Sequence, residues 1–109
     1  MADILDASSI GDTEAVERLI REGVDVNKKD DDGWTPIYQA AWEGHTDTVK
    51  LLLDRGAAID VKNSDGDTPI HRAAREDKTD TVKFLLSAGA DPYITNNKGL
   101  TARDVDRTG

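Results

Sequence analysis

The sequence predicts an all-α solenoid in which short helix-turn-helix units stack on one another. Three observations lead to it: glycines return every 33 residues, apolar residues follow at helical spacing, and the hydrophobic residues are mostly aliphatic. The 109-residue chain is 37% hydrophobic but only 5% aromatic, so its core must come from Leu, Ile, Val and Ala. Charged residues reach 33%, which fits a thin molecule with much exposed surface.

Two series of glycines set the period: Gly33, Gly66 and Gly99, and Gly23, Gly56 and Gly89. On this period residues 33–37 (Gly-Trp-Thr-Pro-Ile) align with residues 66–70 (Gly-Asp-Thr-Pro-Ile), and residues 46–50 are identical to residues 79–83. Self-similarity at a fixed period is typical of repeat architectures. Residues 15–23 fit the same columns, so the N-terminal segment is expected to join the stack.

Each unit reads as a loop, a helix, a short turn and a second helix. Thr35 and Thr68 suit the N-cap of the first helix, where their hydroxyls would accept hydrogen bonds from free amide groups, and a proline follows each. Paired alanines at 40–41 and 73–74 are small enough to let neighbouring helices approach closely. The second helices carry Val and Leu at the i, i+3 and i+4 spacing of an apolar stripe, and Gly56 is expected to end one of them.

Residues 68–74 (Thr-Pro-Ile-His-Arg-Ala-Ala) resemble the T-P-L-H-x-A signature of the ankyrin repeat family, which shares the 33-residue period. The resemblance covers almost the whole chain. It implies stacked helix pairs with projecting β-hairpin-like loops, beside a concave groove that binds proteins. It also implies one domain with an N-terminal capping unit (1–32), two repeats (33–65 and 66–98) and a truncated C-terminal unit (99–109).

Three features depart from the family's pattern. Tyr38 stands where the signature has histidine, so the polar contacts of that histidine are expected to change. Asp77 replaces the glycine found at Gly11 and Gly44, which should strain or reshape the turn between two helices. The last unit has room for about one short helix, so we expect it to fray or to leave apolar surface uncovered.

Outward-facing columns carry function in a repeat protein, because packing fixes the others. By analogy with the family, a partner protein is expected at the loop tips and on the concave face of the first helices. Both tryptophans fall in such columns of one repeat, and Trp and Tyr are enriched among the residues that dominate binding energy. The predicted partner-binding residues are Trp34, Tyr38, Gln39, Trp42, Glu43, Asp67, Arg72 and Arg75.

An alternative is that these aromatic residues fill gaps in the core. The columns of the two tryptophans hold Asp67 and Arg75 in the next repeat, and these surface residue types favour an interface. For Tyr38 both interpretations stay open, since its column holds the partly structural His71. Arg72 and Arg75 form a basic spot that could bind a carboxylate, or they belong to an ordinary solvated face balanced by neighbouring acids.

Composition and motifs argue against other classes of function. The net charge of −8 disfavours nucleic acid and anionic membranes, both of which attract clustered Lys and Arg. The chain has no cysteine, its two histidines occupy signature columns, and no serine lies in a nucleophile motif, so neither an enzyme nor a cofactor is expected. Asn63, Asp65 and Asp67 resemble the start of a calcium loop, but Thr68 holds the position that requires glycine.

Location, origin and assembly are further expectations. The first residues lack the basic and apolar regions of a signal peptide, and no apolar run is long enough for a membrane span, so a cytoplasmic location is expected. Near-identical framework segments and aromatic residues clustered in variable columns indicate an engineered scaffold with a rebuilt binding surface. The competing functional hypothesis is a self-associating structural protein, a homodimer joined through the aromatic residues or the short C-terminal end.

Overall fold

The computed structural model describes residues 3–106, which form seven helices and no strand. The helices are α1 (Ile4–Ile10), α2 (Thr13–Arg21), α3 (Pro36–Glu43), α4 (Thr46–Asp54), α5 (Pro69–Arg75), α6 (Thr79–Ser87) and α7 (Ala102–Asp106). The first six helices form three pairs, and a short turn joins the two helices of each pair. The seventh helix, α7, begins a fourth unit. Within the described residues, no helix is long and apolar enough to cross a membrane.

The first helices of the units form one layer and the second helices form another. α3 packs between α1 and α5, and α5 packs between α3 and α7, while α4 packs between α2 and α6. The first-helix layer is the more closely packed, because the paired alanines of α3 and α5 are buried between the helices. The predicted all-α stack is confirmed.

The core consists of columns in which equivalent side chains of successive units stack on one another. Ile4, Ile37 and Ile70 form one buried column, and Leu52 and Leu85 belong to another. Each unit therefore buries its apolar face only against its neighbours, which is the physical reason that such repeats fold as arrays.

The loops between units are tight hairpins organised by one polar column. Asp30, Asn63 and Asn96 occupy it, and the backbone N–H of each donates to the carbonyl four residues later at 2.9–3.0 Å. The Oδ1 atom of each accepts two further backbone N–H groups of its own loop. Successive hairpins are joined where the Ser64 N–H donates to the Asp32 carbonyl at 3.0 Å. The loops thus resemble β-hairpins that are too short to form strands.

The two predicted N-caps differ from each other. Thr68 and His71 form a capping box, in which the Thr68 N–H donates to His71 Nδ1 at 3.1 Å. Thr35 occupies the N-cap position as predicted, but the predicted capping bond is absent, because its buried Oγ1 has no partner among the described residues. The cause is Tyr38, which fills the column of His71 and directs its hydroxyl to a different loop. The polar contacts at the position of the signature histidine are therefore changed in this repeat, as predicted.

Asp77 adopts the left-handed conformation that its position requires. Its φ is +58°, compared with +77° at Gly11 and +74° at Gly44. This conformation costs most L-residues about 1–2 kcal/mol, although the short polar side chain of Asp tolerates it better. The predicted strain is therefore present, and the turn keeps its shape. Asp77 itself is exposed, whereas a Cβ added at Gly44 would lie 2.8 Å from the Lys78 side chain.

The C-terminal unit holds one short helix, as predicted. α7 packs on α5, while the outer side of α6 is open to solvent. Leu86 and Tyr93 at this end are 45% and 81% exposed, so the expected uncovered apolar surface is present. The expected fraying concerns residues 107–109, which lie outside the described residues, and it stays a prediction.

Candidate functional site

Trp34 and Trp42 form a tilted ring pair at the surface of the first full repeat. Their ring centroids are 4.3 Å apart and their planes are inclined by 44°. Trp34 is fixed by the first hairpin, because its backbone N–H donates to Asp30 Oδ1 at 2.9 Å. Trp42 is fixed by its position on α3. Both side chains are partly exposed. The pair is thus held in place by the fold, and it presents its remaining aromatic surface to solvent.

Tyr38 lies beneath this pair and is completely buried. Its ring is 5.0 Å from that of Trp34, and its hydroxyl accepts a hydrogen bond of 2.9 Å from Asn63 Nδ2. Burial raises the pKa of Tyr38 to about 12, against a smaller opposing effect of Arg72. The two interpretations of Tyr38 are therefore resolved in favour of the interior, and this corrects its assignment to the partner-binding surface.

Arg72 reaches from α5 across the aromatic rings. Its guanidinium carbon is 4.2 Å from the ring centroid of Trp42, 5.3 Å from that of Trp34 and 5.8 Å from that of Tyr38. The side chain is only 12% exposed, and Nε has no hydrogen-bond partner among the described residues. A cation within about 6 Å of an aromatic face is attracted by the ring quadrupole, which replaces part of the lost hydration. Glu76 adds an ion pair at 3.5 Å.

The second repeat carries an ion pair, formed by Asp67 and Arg75. Arg75 Nη1 donates to Asp67 Oδ2 at 2.8 Å, and Asn96 Nδ2 donates to Asp67 Oδ1 at 2.9 Å. Burial of Asp67 acts to raise its pKa, but the hydrogen bonds from Arg75 and Asn96 outweigh that effect and lower the pKa. Asp67 is 1% exposed, so its assignment to the partner-binding surface is also corrected. Arg75 stays partly exposed.

The two repeats use the same pair of columns for these contacts. Trp34 and Trp42 correspond to Asp67 and Arg75 after a shift of 33 residues. In each repeat the hairpin residue touches the helix residue: two rings at 4.3 Å in one, an ion pair at 2.8 Å in the other. The fold thus accepts either an aromatic or an ionic pair at this place, and packing alone does not require tryptophan.

The remaining predicted residues surround the tryptophans. Gln39 is partly exposed and Glu43 is exposed, both on α3. Ile10, which the sequence pattern did not single out, is 69% exposed and occupies the column of Glu43 in the preceding unit. We call the two contacting tryptophans, with Tyr38 and Arg72 that support them, the aromatic face.

Asn63 and Asn96 are supporting residues that the sequence pattern also missed. Each uses its oxygen to hold its own hairpin and donates its Nδ2 to a residue near the start of the same repeat, to Tyr38 and Asp67 respectively. Asp30, in the same column of the first hairpin, has only acceptor atoms. The change from Asp30 to Asn63 and Asn96 in this column could have indicated the supporting role, because an amide supplies a hydrogen-bond donor that a carboxylate lacks.

The two histidines join neighbouring units. His71 Nδ1 accepts the Thr68 N–H, so Nε2 carries the proton and donates to the Leu100 carbonyl at 2.8 Å. His45 Nε2 lies 2.9 Å from the Ser9 carbonyl. These contacts give both side chains a structural role. Between residues 3 and 106, no three His, Asp or Glu side chains gather in a way that could hold a metal ion.

Comparison with known proteins gives two results. The family model for ankyrin repeats matches residues 4–96 as three copies. A stretch of 40 residues is 38% identical to the protein VAPYRIN-LIKE of Medicago truncatula, covering 37% of this chain. The match spans only 9% of that relative's length.

Proposed function

Because the chain belongs to the ankyrin repeat family, whose repeats are generally protein-interaction modules, we propose that it binds a partner protein through the aromatic face. The observation that carries this proposal is the tilted ring pair of Trp34 and Trp42, partly exposed where the next repeat places an ion pair. Since the core is already filled by Tyr38 beneath them, the two rings add apolar surface that the fold does not need.

The arrangement suits a binding site in which aromatic anchors are surrounded by polar groups. Trp34 and Trp42 would supply most of the binding energy, and Gln39, Glu43 and Arg75 would form the polar rim on the concave side. Arg72 has its charge directed to the rings and to an acid of its own helix, so its proposed role is to hold the anchors rather than to capture a carboxylate. Rings that are already fixed lose little conformational freedom on binding, which favours affinity.

A structure-based exchange tests the proposal. The double variant Trp34→Asp/Trp42→Arg copies the ion pair of the second repeat into the first, so we expect it to stay folded. Peptides selected from a random display library on the parent protein serve as probes. Loss of two anchors is expected to weaken their binding by at least about 2 kcal/mol, or roughly 30-fold in Kd.

A matched control variant carries Leu86→Ala, which alters an exposed apolar residue at the C-terminal end of the stack. Its affinity for the same peptides should equal that of the parent. If the selected peptides bind the exchange variant as tightly as the parent, the aromatic face is not the binding site. Circular dichroism of both variants shows whether the helices are intact.

The alternative function is self-association into a homodimer, which the exposed Leu86 and Tyr93 favour. Sedimentation velocity at several protein concentrations separates the two functions. A monomer at all concentrations excludes the homodimer, whereas a dimer that dissociates in the exchange variant assigns the aromatic face to self-association.

We also infer an engineered origin for the scaffold. The identical residues 46–50 and 79–83, combined with different residues in the columns of the aromatic face, support it. Detection of this coding sequence in the genome of an organism would contradict this inference.

A further inference from the structure

A second surface with the properties of a binding site lies at the C-terminal end of the stack. It is a groove of about 460 Å³ between α6, α7 and the hairpin region before α7. Its apolar lining includes Ile70, Val82, Leu86, Tyr93 and Ala102. Leu86 and Tyr93 are 45% and 81% exposed, so the groove presents large apolar side chains to solvent. We call it the end groove.

The equivalent contacts of the preceding repeats indicate which kind of element fits the end groove. Second helices pack on one another through a threonine contact: Thr13 Oγ1 lies 3.1 Å from Thr48 Oγ1, and Thr46 Oγ1 lies 2.7 Å from Thr81 Oγ1. The next residue in the column of Thr13 and Thr46 is Thr79, which lines the end groove. Thr79 is exposed, and its hydroxyl has no partner in residues 3–106. The end groove therefore offers to an incoming helix the face that α4 offers to α6.

The charges around the end groove indicate the character of that helix. Lys78, Lys83 and Arg103 line it, together with a single acid, Asp77. This is a local excess of positive charge on a protein whose net charge is −8. Arg103 occupies the column of the buried Ile70, so the cation stands where the preceding unit has an aliphatic residue. Acidic side chains on an incoming helix would find complementary charge here.

We propose that the end groove binds an acidic amphipathic helix of a partner protein, docked on α6 as α6 docks on α4. In this arrangement the helix places a hydroxyl near Thr79, an aliphatic stripe over Val82 and Leu86, and carboxylates toward Lys83 and Arg103. A second copy of the chain is the poorer occupant, because two end grooves placed face to face would bring like charges together. The proposal is independent of the aromatic face.

Two helix-stapled peptides test the proposal, since unconstrained peptides of this length are weakly helical in water. One has the sequence of residues 78–90, and the other has the same sequence with glutamate in place of both lysines. Binding to the full 109-residue protein is measured by fluorescence anisotropy. The acidic peptide is expected to bind about tenfold more tightly than the lysine peptide, and Lys83→Glu should reduce or reverse this preference.

Variants of the groove and of other surfaces complete the experiment. Leu86→Asp and, as a second variant at a more exposed position, Tyr93→Asp should each abolish binding of the acidic peptide. Ile10→Asp, an equally apolar-to-acidic change at a residue that is 69% exposed, should leave it unchanged. The exchange variant Trp34→Asp/Trp42→Arg should also bind normally, so failure at the aromatic face would not affect this result.

Three outcomes would overturn the proposal. The first is equal binding of the two peptides, and the second is undiminished binding by folded Leu86→Asp and Tyr93→Asp. The third is a concentration-dependent dimer that Leu86→Asp dissociates, which would assign the end groove to a second copy of the chain.

Discussion

Replacing Tyr38 by phenylalanine removes a single oxygen atom from beneath the aromatic face. The phenol is completely buried, and its hydroxyl is the acceptor for Asn63 Nδ2 at 2.9 Å. Phenylalanine fills the same volume, so the ring contact with Trp34 at 5.0 Å should persist. The substitution therefore isolates one hydrogen bond between α3 and the hairpin that begins at Asn63.

The expected destabilisation follows from the amide that is left without its acceptor. Asn63 is only 7% exposed, and its Oδ1 is held by two backbone N–H groups of its hairpin, so the amide cannot turn to find another partner. A buried polar group that loses its partner costs about 1–3 kcal/mol. Since phenylalanine is slightly more favourable to bury than tyrosine, we expect a net loss of about 1–2 kcal/mol.

Urea denaturation followed by circular dichroism measures this loss. The matched control is Tyr93→Phe, which removes the same atom from a ring that is 81% exposed and should leave the free energy of unfolding unchanged. If Tyr38→Phe is as stable as the parent, or if both variants lose the same amount, the hydrogen bond does not hold α3 to the hairpin at Asn63 as described.

Three further predictions concern titration and backbone strain. In a Tyr93→Phe background the phenolate absorbance of Tyr38 should appear near pH 12 rather than 10.0, and titration near 10.0 in the folded protein would contradict the burial. Between these two pH values the free energy of unfolding should fall by about 1.4 kcal/mol per pH unit. Because the pKa of Asp67 is lowered from 3.8, its ionised form stabilises the fold above that pH, and this contribution is lost as the pH falls through the lowered value. Asp67→Asn should therefore lose about 1–3 kcal/mol of unfolding free energy at pH 7 and show a smaller decline of that free energy in acid. An unchanged decline, measured by urea denaturation at several pH values, would argue against the ion pair. Asp77→Gly should stabilise the fold by about 0.5 kcal/mol, whereas Gly44→Ala should destabilise it by more than about 1 kcal/mol. Melting temperatures in the opposite order would refute the strain assigned to these two positions.

Most of the fold could be predicted from the sequence, because its columns follow packing rules that repeat every 33 residues. The glycines, the prolines after Thr35 and Thr68, and the aliphatic stripes each indicate the same helix pairs. The cap at Thr35 could not be predicted from the residue type alone. It depends on whether the residue three positions later is a histidine that returns to the backbone or a tyrosine that reaches away from it.

The candidate site could be predicted only in part. The columns of Trp34 and Trp42 are correctly placed at the surface, but the burial of Tyr38 depends on Asn63 of the next hairpin. Likewise, Arg72 lies over the rings because its side chain extends from α5 toward the preceding repeat, and the residue types in the columns do not specify that direction. The burial of a side chain and its contacts across repeats depend on three-dimensional positions, and the 33-residue pattern of the sequence does not contain them.

Whether the chain binds a partner through the aromatic face is tested most directly by the change in Kd between the parent and the exchange variant Trp34→Asp/Trp42→Arg. This change is measured by calorimetry with peptides selected on the parent. We expect binding to weaken roughly 30-fold or more while the helical content stays the same, and Leu86→Ala should bind as tightly as the parent. Equal affinity of the parent and a folded exchange variant would contradict binding through the aromatic face.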